Sequence, residues 1–165
     1  EEVSAELLGV CVSELSGLSE QRCKELIDYL SVHTDVVPKD DDDELEALDY
    51  ALASLAIEVA VTRHAGHLEQ YYSPMGISYM QIGKDLTAVK TVIVTGGALI
   101  HTKRTAQIAS HALFNPLDAF SLKPKEAQVL VDRKYILAAM GILSTEYPQT
   151  ALRIMKKELV KDGNH

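Results

Sequence analysis

A β-branched run that ends in two glycines constrains the fold of this chain more than any other stretch. Residues 92–94 are Val-Ile-Val, which favours a short strand covered on both faces, and Thr95, Gly96 and Gly97 follow at once. Glycine adopts backbone angles that other residues avoid, and without a side chain it lets a ligand approach the main chain. The stretch predicts either a ligand-binding turn at the carboxyl edge of a sheet or a tight strand-to-helix turn with no ligand.

Length and composition indicate a soluble globular protein. The chain has 165 residues, of which 47% are hydrophobic and 24% charged, so one domain or two small halves can bury a core. The net charge of -8 argues against a nucleic-acid surface. Neither a membrane-spanning apolar run nor a signal peptide is visible. Cys11 and Cys23 are expected to be buried, reduced thiols, which favours a cytoplasmic location.

The N-terminal part of the sequence predicts two helices. Helical spacing of apolar residues covers residues 2–15, with Val10 facing inward and Ser4 as the N-cap. Ser19 is expected to cap a second helix over residues 20–32.

The next segment predicts one long, heavily buried helix over residues 42–65, because leucines and alanines recur three or four residues apart. The acidic run at residues 40–44 lacks the spacing and the turn glycine of a calcium loop, so we interpret it as an acidic first turn. Gly66 is expected to end the helix as its C-cap. Arg63 and His64 either satisfy the last carbonyls of the helix or face a ligand.

Residues 69–82 predict a β-hairpin whose Ser-Pro-Met-Gly turn at residues 73–76 fits a type I geometry. Tyr71 and Tyr72 are interpreted as half-buried strand residues, and a stacking surface for a base is the alternative.

A second strand is expected over residues 126–131, and Asp132 at its end is a candidate cap for a helix over residues 133–144. Gly141 inside that helix suggests that another helix or backbone passes very close, because glycine costs about 1 kcal/mol in a helix interior. The expected helices cover residues 2–15, 20–32, 42–65, 105–112, 133–144 and 149–161.

Catalytic patterns are thin in this sequence. It contains no Gly-x-Ser-x-Gly, no P-loop and no nucleophile with an adjacent base. His64 and His67 lack the further ligands that a metal site needs. We therefore predict no catalytic residue and no metal ligand.

Several motifs occur together after the first 44 residues. A long helix ends in Arg-His-Ala-Gly, a Tyr-x-x-Pro-x-Gly hairpin and Gly-Lys-Asp-Leu-Thr-x-Val-Lys follow, and then comes Val-Ile-Val-Thr-Gly-Gly-Ala-Leu. Leu-Lys-Pro-Lys and Asp-Arg-Lys-Tyr-Ile-Leu-Ala-Ala-Met-Gly-Ile-Leu-Ser lie further on, before a Tyr-Pro-x-x-Ala-Leu helix start. Over residues 45–160 this combination resembles the C-terminal part of the glutamate-mutase MutL family, the accessory proteins of adenosylcobalamin-dependent mutases.

This resemblance implies a fold and a nucleotide site. The family is similar to the actin/Hsp70/sugar-kinase ATPases, so the chain would be a helix-rich α/β protein, the C-terminal half of such an ATPase subdomain, with few strands and about six helices. In that superfamily a strand followed by Gly-Gly is the adenosine motif, and a later small-residue helix, here residues 135–143, crosses close by. The implied nucleotide-binding residues are Thr95, Gly96, Gly97 and Ala98, with Arg63 and His64 added by extrapolation from the position of their helix.

The resemblance also implies a role, cofactors and partners. The role is chaperone-like, ATP-dependent reactivation of the mutase, with mutase subunits as partners. ATP or ADP with Mg²⁺ is expected in the full-length protein, and cobalamin is expected only through the partner. The two phosphate motifs of the superfamily are absent from these 165 residues, so we do not expect this chain alone to hydrolyse ATP.

The resemblance and the missing initial methionine together favour a fragment. Residues 1–165 would form a single domain, with a helical N-terminal part over residues 1–44 and the adenosine-motif subdomain over residues 45–165. A half-domain that is normally covered exposes an apolar face, which favours self-association as a homodimer.

Three hypotheses follow. The first is the nucleotide-binding portion of a mutase-reactivating factor, which predicts that Gly97→Val abolishes nucleotide binding. The second is a non-catalytic module that docks a mutase subunit regardless of nucleotide. The third is a small α/β enzyme, for which Asp132 is the obvious general acid or base.

Overall fold

A computed structural model gives the protein's structure and describes residues 5–36 and 42–161. Within these residues it contains seven helices and five strands in two small sheets, so the predicted helix-rich α/β class is confirmed. Ser4, Asp40 and Asp41, which carried predictions, lie outside the described residues. The chain divides into two compact units, Glu1–Ile57 and Glu58–His165.

Three helices build the first unit, and the third of them continues into the second unit. They are α1 (Ala5–Ser16), α2 (Glu20–Val32) and α3 (Asp43–His64). The core side chains of this unit are apolar and come from all three helices: Val12, Cys23, Leu26, Leu45, Leu48 and Ala51.

The start of α2 agrees with the sequence prediction. The Ser19 hydroxyl accepts a hydrogen bond from the Arg22 N–H at 3.2 Å, which satisfies one donor at the helix N-terminus. Cys11 and Cys23 are both free thiols, and Cys23 is buried while Cys11 is half-buried. The inward position predicted for Val10 is wrong, because Val10 is exposed and Val12 enters the core instead.

Helix α3 is confirmed in its bounds to within one residue, but it is not heavily buried along its length. Its buried residues begin at Leu45 and end at Ser54, near the middle of the helix. Leu52, which the spacing placed inward, is exposed. The Asp42 carboxylate accepts a hydrogen bond from the Leu45 N–H at 3.0 Å, so this member of the acidic run does serve the first helical turn.

In the second unit, the end of α3 is followed by an antiparallel hairpin of β1 (His67–Ser73) and β2 (Gly76–Ile82). Its turn uses the Ser73 hydroxyl, which accepts from the Met75 N–H at 3.2 Å and donates to the Gly76 carbonyl at 3.0 Å. The half-buried interpretation of the hairpin tyrosines is wrong for Tyr72, which is 80% exposed, and Tyr71 is also exposed. Every residue of β2 is exposed, although the Phe120 ring lies 5.9 Å from the ring of Tyr79 on this strand.

Gly66 joins the end of α3 to the base of the hairpin. Its N–H donates to the Lys84 carbonyl at 2.7 Å, and its carbonyl accepts from the Leu122 N–H at 2.9 Å. Its φ is not in the left-handed region, and a Cβ there would collide with the Ile82 carbonyl oxygen and come within 2.8 Å of the Lys84 nitrogen. The C-cap interpretation of Gly66 is therefore corrected, because close backbone approach is what requires glycine here.

The second sheet has the strand order β3 (Thr91–Val94), β4 (Gln128–Val131) and β5 (Val160–Lys161). Strands β3 and β4 are parallel, and β5 pairs with β4 antiparallel. Four helices accompany this sheet: α4 (Gly97–Ile100), α5 (Thr105–Ser110), α6 (Leu137–Leu143) and α7 (Pro148–Glu158).

One face of this sheet carries the core of the second unit. Val94 and Val131 pack with Ile100 of α4 and Ala109 of α5. On the opposite face Ile93 is 45% exposed, so the expectation that β3 is covered on both faces is wrong. A Cβ added at Gly141 in α6 would meet no described atom within 4 Å, apart from its chain neighbours and its own helix backbone. The expectation that another helix or backbone passes close to this residue is therefore wrong. No helix within the described ranges is long and apolar enough to cross a membrane.

Candidate functional site

The ends of two parallel strands meet at the candidate site. Val94 pairs with Val131, so the next residues, Thr95 and Asp132, leave the carboxyl edge of the sheet side by side. The Asp132 N–H donates to the Val94 carbonyl at 2.9 Å, and the Thr95 hydroxyl donates to the Asp132 carboxylate at 3.3 Å. The glycine turn is thereby tied at its first residue to the end of the neighbouring strand.

Asp132 is 2% exposed, and its carboxylate organises the segment that leads into α6. One oxygen accepts the Ile136 N–H at 3.0 Å, and the other accepts the Leu137 N–H at 3.1 Å. These N–H groups start the helix and lack partners within it, so Asp132 does cap α6. The expected start at Arg133 is wrong, because α6 begins at Leu137 and Ile136 holds its N-cap position. Together with the bond from Thr95, these contacts account for a buried carboxylate in structural terms.

The two glycines form an open turn. Gly96 has φ of +105°, a region that residues with a side chain rarely adopt, and its carbonyl accepts from the N–H groups of Leu99 and Ile100. Gly97 then begins α4. A Cβ added at Gly97 would lie 3.5 Å from the Tyr135 hydroxyl. Apart from the chain neighbours of Gly97 and its own helix, no other described atom would come within 4 Å of that Cβ. The exposed backbone at Gly97 therefore lies directly beside the Tyr135 hydroxyl.

Two side chains support the exit from the turn. The Thr105 hydroxyl, which is buried, donates to the Leu99 carbonyl at 2.6 Å. The Arg133 guanidinium donates to the Ile100 carbonyl at 3.2 Å, so a cation lies at the C-terminal end of α4, where the helix dipole favours it.

Tyr135 is a site residue that the sequence did not reveal. We expected residues 135–143 to be one helix, but α6 begins at Leu137 and Tyr135 precedes it with φ of +52°. No pattern of spacing or composition predicts this conformation, because it arises from the contacts of Asp132 with the following N–H groups.

The six predicted site residues fall into two groups. Thr95, Gly96, Gly97 and Ala98 lie together beside Asp132 and Tyr135. Arg63 and His64 are exposed at the end of α3, and within the described part of the chain no hydrogen bond links them to the turn. Their role in binding stays a prediction. Nearby on α3, the Glu58 carboxylate lies 3.1 Å from the His111 ring, just after α5.

No group of three or more His, Cys, Asp or Glu side chains in residues 5–36 and 42–161 is arranged to hold a metal ion. Around the glycine turn, the site presents backbone groups, the Thr95 hydroxyl and the exposed aromatic ring of Tyr135.

These features define a helix-rich α/β chain with a strand–glycine turn at the carboxyl edge of a small sheet. The model of the MutL protein family matches residues 2–159, and the chain belongs to that family. It is 45% identical to Protein MutL from Clostridium tetanomorphum over 133 residues, which is 81% of this chain and 28% of that protein. The chain thus spans about 28% of the length of this relative. No solved structure matches the chain.

Proposed function

We propose that this chain is the adenine-nucleotide-binding portion of a chaperone-like, ATP-dependent factor that reactivates an adenosylcobalamin-dependent mutase. Membership of the MutL family supports a link to glutamate mutase subunits as partners. The observation that carries the nucleotide-binding proposal is the open backbone at Gly97, beside an exposed aromatic ring at the carboxyl edge of the sheet. The fold that we propose is the corresponding subdomain of an actin/Hsp70-like ATPase.

The residues present fit a nucleotide at this turn. Gly96 and Gly97 leave room for a ligand against the main chain, and the Thr95 hydroxyl lies at the same edge. Ala98 completes the turn, and Arg63 and His64 belong to the proposed site as side chains at the end of α3. We place Mg²⁺ and the phosphate-binding motifs in the remainder of the full-length protein, and cobalamin with the partner. The factor is proposed to act in the cytoplasm.

An amide NMR titration of the 165-residue chain with Mg²⁺-ADP tests this proposal. We expect shifts centred on residues 95–99, with a second set at the end of α3. Gly97→Val should abolish them, because its side chain occupies the space that the turn leaves open. Gly141→Val is the matched control, since a side chain there meets open space. An unchanged wild-type spectrum at millimolar ADP would overturn the proposal.

A second function is favoured by a separate observation, the exposed hairpin. Tyr72, Met75 and Ile77 are apolar and exposed on it, as in a surface that docks a protein partner. A non-catalytic docking module would bind a mutase subunit equally well with and without ADP, and Gly97→Val would leave that binding intact. Replacing Tyr72 would weaken it.

The enzyme hypothesis has less support. Asp132 was its candidate acid or base, but its carboxylate accepts three hydrogen bonds and is buried. A general acid or base must reach the substrate, and these contacts direct the carboxylate to Thr95 and the start of α6.

A further inference from the structure

Tyr135 combines a rare backbone conformation with a position beside the glycine turn. Its φ of +52° places it in the left-handed region, which a bulky residue without a special reason avoids. The surrounding contacts fix this conformation, because the Asp132 carbonyl accepts the Tyr135 N–H and the Asp132 carboxylate accepts the two N–H groups after it. Strained residues held in this way cluster at ligand sites.

Burial of the Tyr135 ring does not offset the cost of this backbone conformation. Tyr135 is 50% exposed, and its hydroxyl lies 3.5 Å from the point where a Cβ on Gly97 would stand. The side chain therefore reaches from the end of β4 to the turn after β3 and keeps an accessible face. An aromatic ring in this position offers a flat, apolar surface next to accessible backbone.

We propose that Tyr135 is a nucleotide-binding residue whose exposed ring stacks on the base of a purine nucleotide bound at the Gly96-Gly97 turn. This inference rests on the proposed function and adds to it the side chain that contacts the base. Stacking on an aromatic side chain requires only a planar base and a reachable ring face, and both the exposure of Tyr135 and its proximity to Gly97 meet that requirement. The ligand class is a purine nucleotide, and ADP is the probe.

The test compares two substitutions at this position with a matched tyrosine elsewhere. Tyr135→Leu removes the ring and should weaken ADP binding roughly tenfold, the loss expected for one stacked base. Tyr135→Phe keeps the ring and should bind within about twofold of the wild type. Tyr79→Leu, on the exposed hairpin strand β2, is the control for losing an exposed tyrosine and should bind ADP normally.

A spectroscopic readout separates stacking from a merely structural role. In the wild type and in Tyr135→Phe, the adenine H2 and H8 signals should move upfield on binding and show nuclear Overhauser contacts to the ring of residue 135. Tyr135→Leu should lose the upfield shift while its amide spectrum stays that of a folded chain.

The outcomes distinguish this inference from the proposed function. If wild-type protein binds ADP and Tyr135→Leu binds it equally well, or if no Overhauser contact joins the ring to adenine, the stacking role is wrong and the nucleotide site stands. If the wild type shows no ADP binding, the proposed function fails and the stacking role fails with it.

Discussion

Gly66 is the residue at which three backbone segments of the second unit meet. A Cβ at this position would press on the Ile82 carbonyl, the Gly83 carbonyl carbon and the Lys84 nitrogen, none of which is a flexible side chain. We predict that Gly66→Ala lowers the free energy of unfolding by about 2 kcal/mol, as overpacking against backbone does. Urea denaturation followed by circular dichroism measures this change.

Gly141→Ala is the control for that prediction, because α6 leaves open space around Gly141. Alanine has the higher helix propensity, so this variant should gain up to about 1 kcal/mol. Equal stability of the two variants would show that the crossing at Gly66 is looser than the structure indicates.

The same two glycines show what sequence reasoning reaches at the residue scale. The sequence pattern predicted close packing at Gly141 and a helix cap at Gly66. In the structure the crowded glycine is Gly66, and Gly141 has open space around it. Composition reports that a glycine is present, but the backbone that passes beside it comes from residues far away in the chain. Tyr135 shows a different limit, because its conformation depends on which N–H groups the nearby Asp132 carboxylate binds, and spacing does not reveal that.

At the scale of elements, the sequence predicts most of what local chemistry determines. Ser19 caps α2 as expected, and the hairpin and the strand before Thr95 lie where propensity and turn residues place them. The exposed faces were not predictable. Alternation and helical spacing identify an apolar face, but they do not say whether another element covers it, and Ile93 and Tyr72 show that here it is left exposed.

The segment between the hairpin and β3 contains an aspartate whose titration should be visible in stability. The Asp85 carboxylate accepts the Thr87 hydroxyl at 2.6 Å and the Thr87 N–H at 2.9 Å, and these bonds lower the pKa of Asp85 below its usual value. A lowered carboxyl pKa stabilises the fold above the unfolded-state pKa of about 4, and this contribution is lost as the pH falls through the folded-state value. The stability gap between the wild type and Asp85→Ala should therefore shrink as the pH falls from about 5 to about 2.

Thr87→Val gives the matched test of that cause. It keeps the carboxylate and removes the hydroxyl donor, so the pKa of Asp85, followed by carbon-13 NMR of its carboxyl group, should rise toward the ordinary value. An unchanged Asp85 titration in Thr87→Val would show that the hydroxyl bond is not its cause.

At the scale of the whole molecule, the hairpin exposes apolar side chains to solvent. A two-stranded hairpin is at best marginally stable alone in water, and this one carries Tyr72 and Ile77 as an exposed cross-strand pair. An exposed apolar patch of this kind is typical of a surface that a partner or a second copy covers.

We predict that the chain alone forms a homodimer through this pair. Tyr72→Lys combined with Ile77→Glu replaces the apolar pair with opposite charges and leaves the net charge at -8, so the change tests apolar contact rather than overall repulsion. The dimer dissociation constant, measured by sedimentation equilibrium, should rise at least about tenfold, because burying one such side chain is worth about 1.5 kcal/mol or more. Ile142→Gln removes a comparably exposed apolar side chain on α6 rather than on the hairpin and should leave the dimer intact. A wild-type chain that stays monomeric at all concentrations, or a double variant that dimerises normally, would show that the hairpin surface does not drive association.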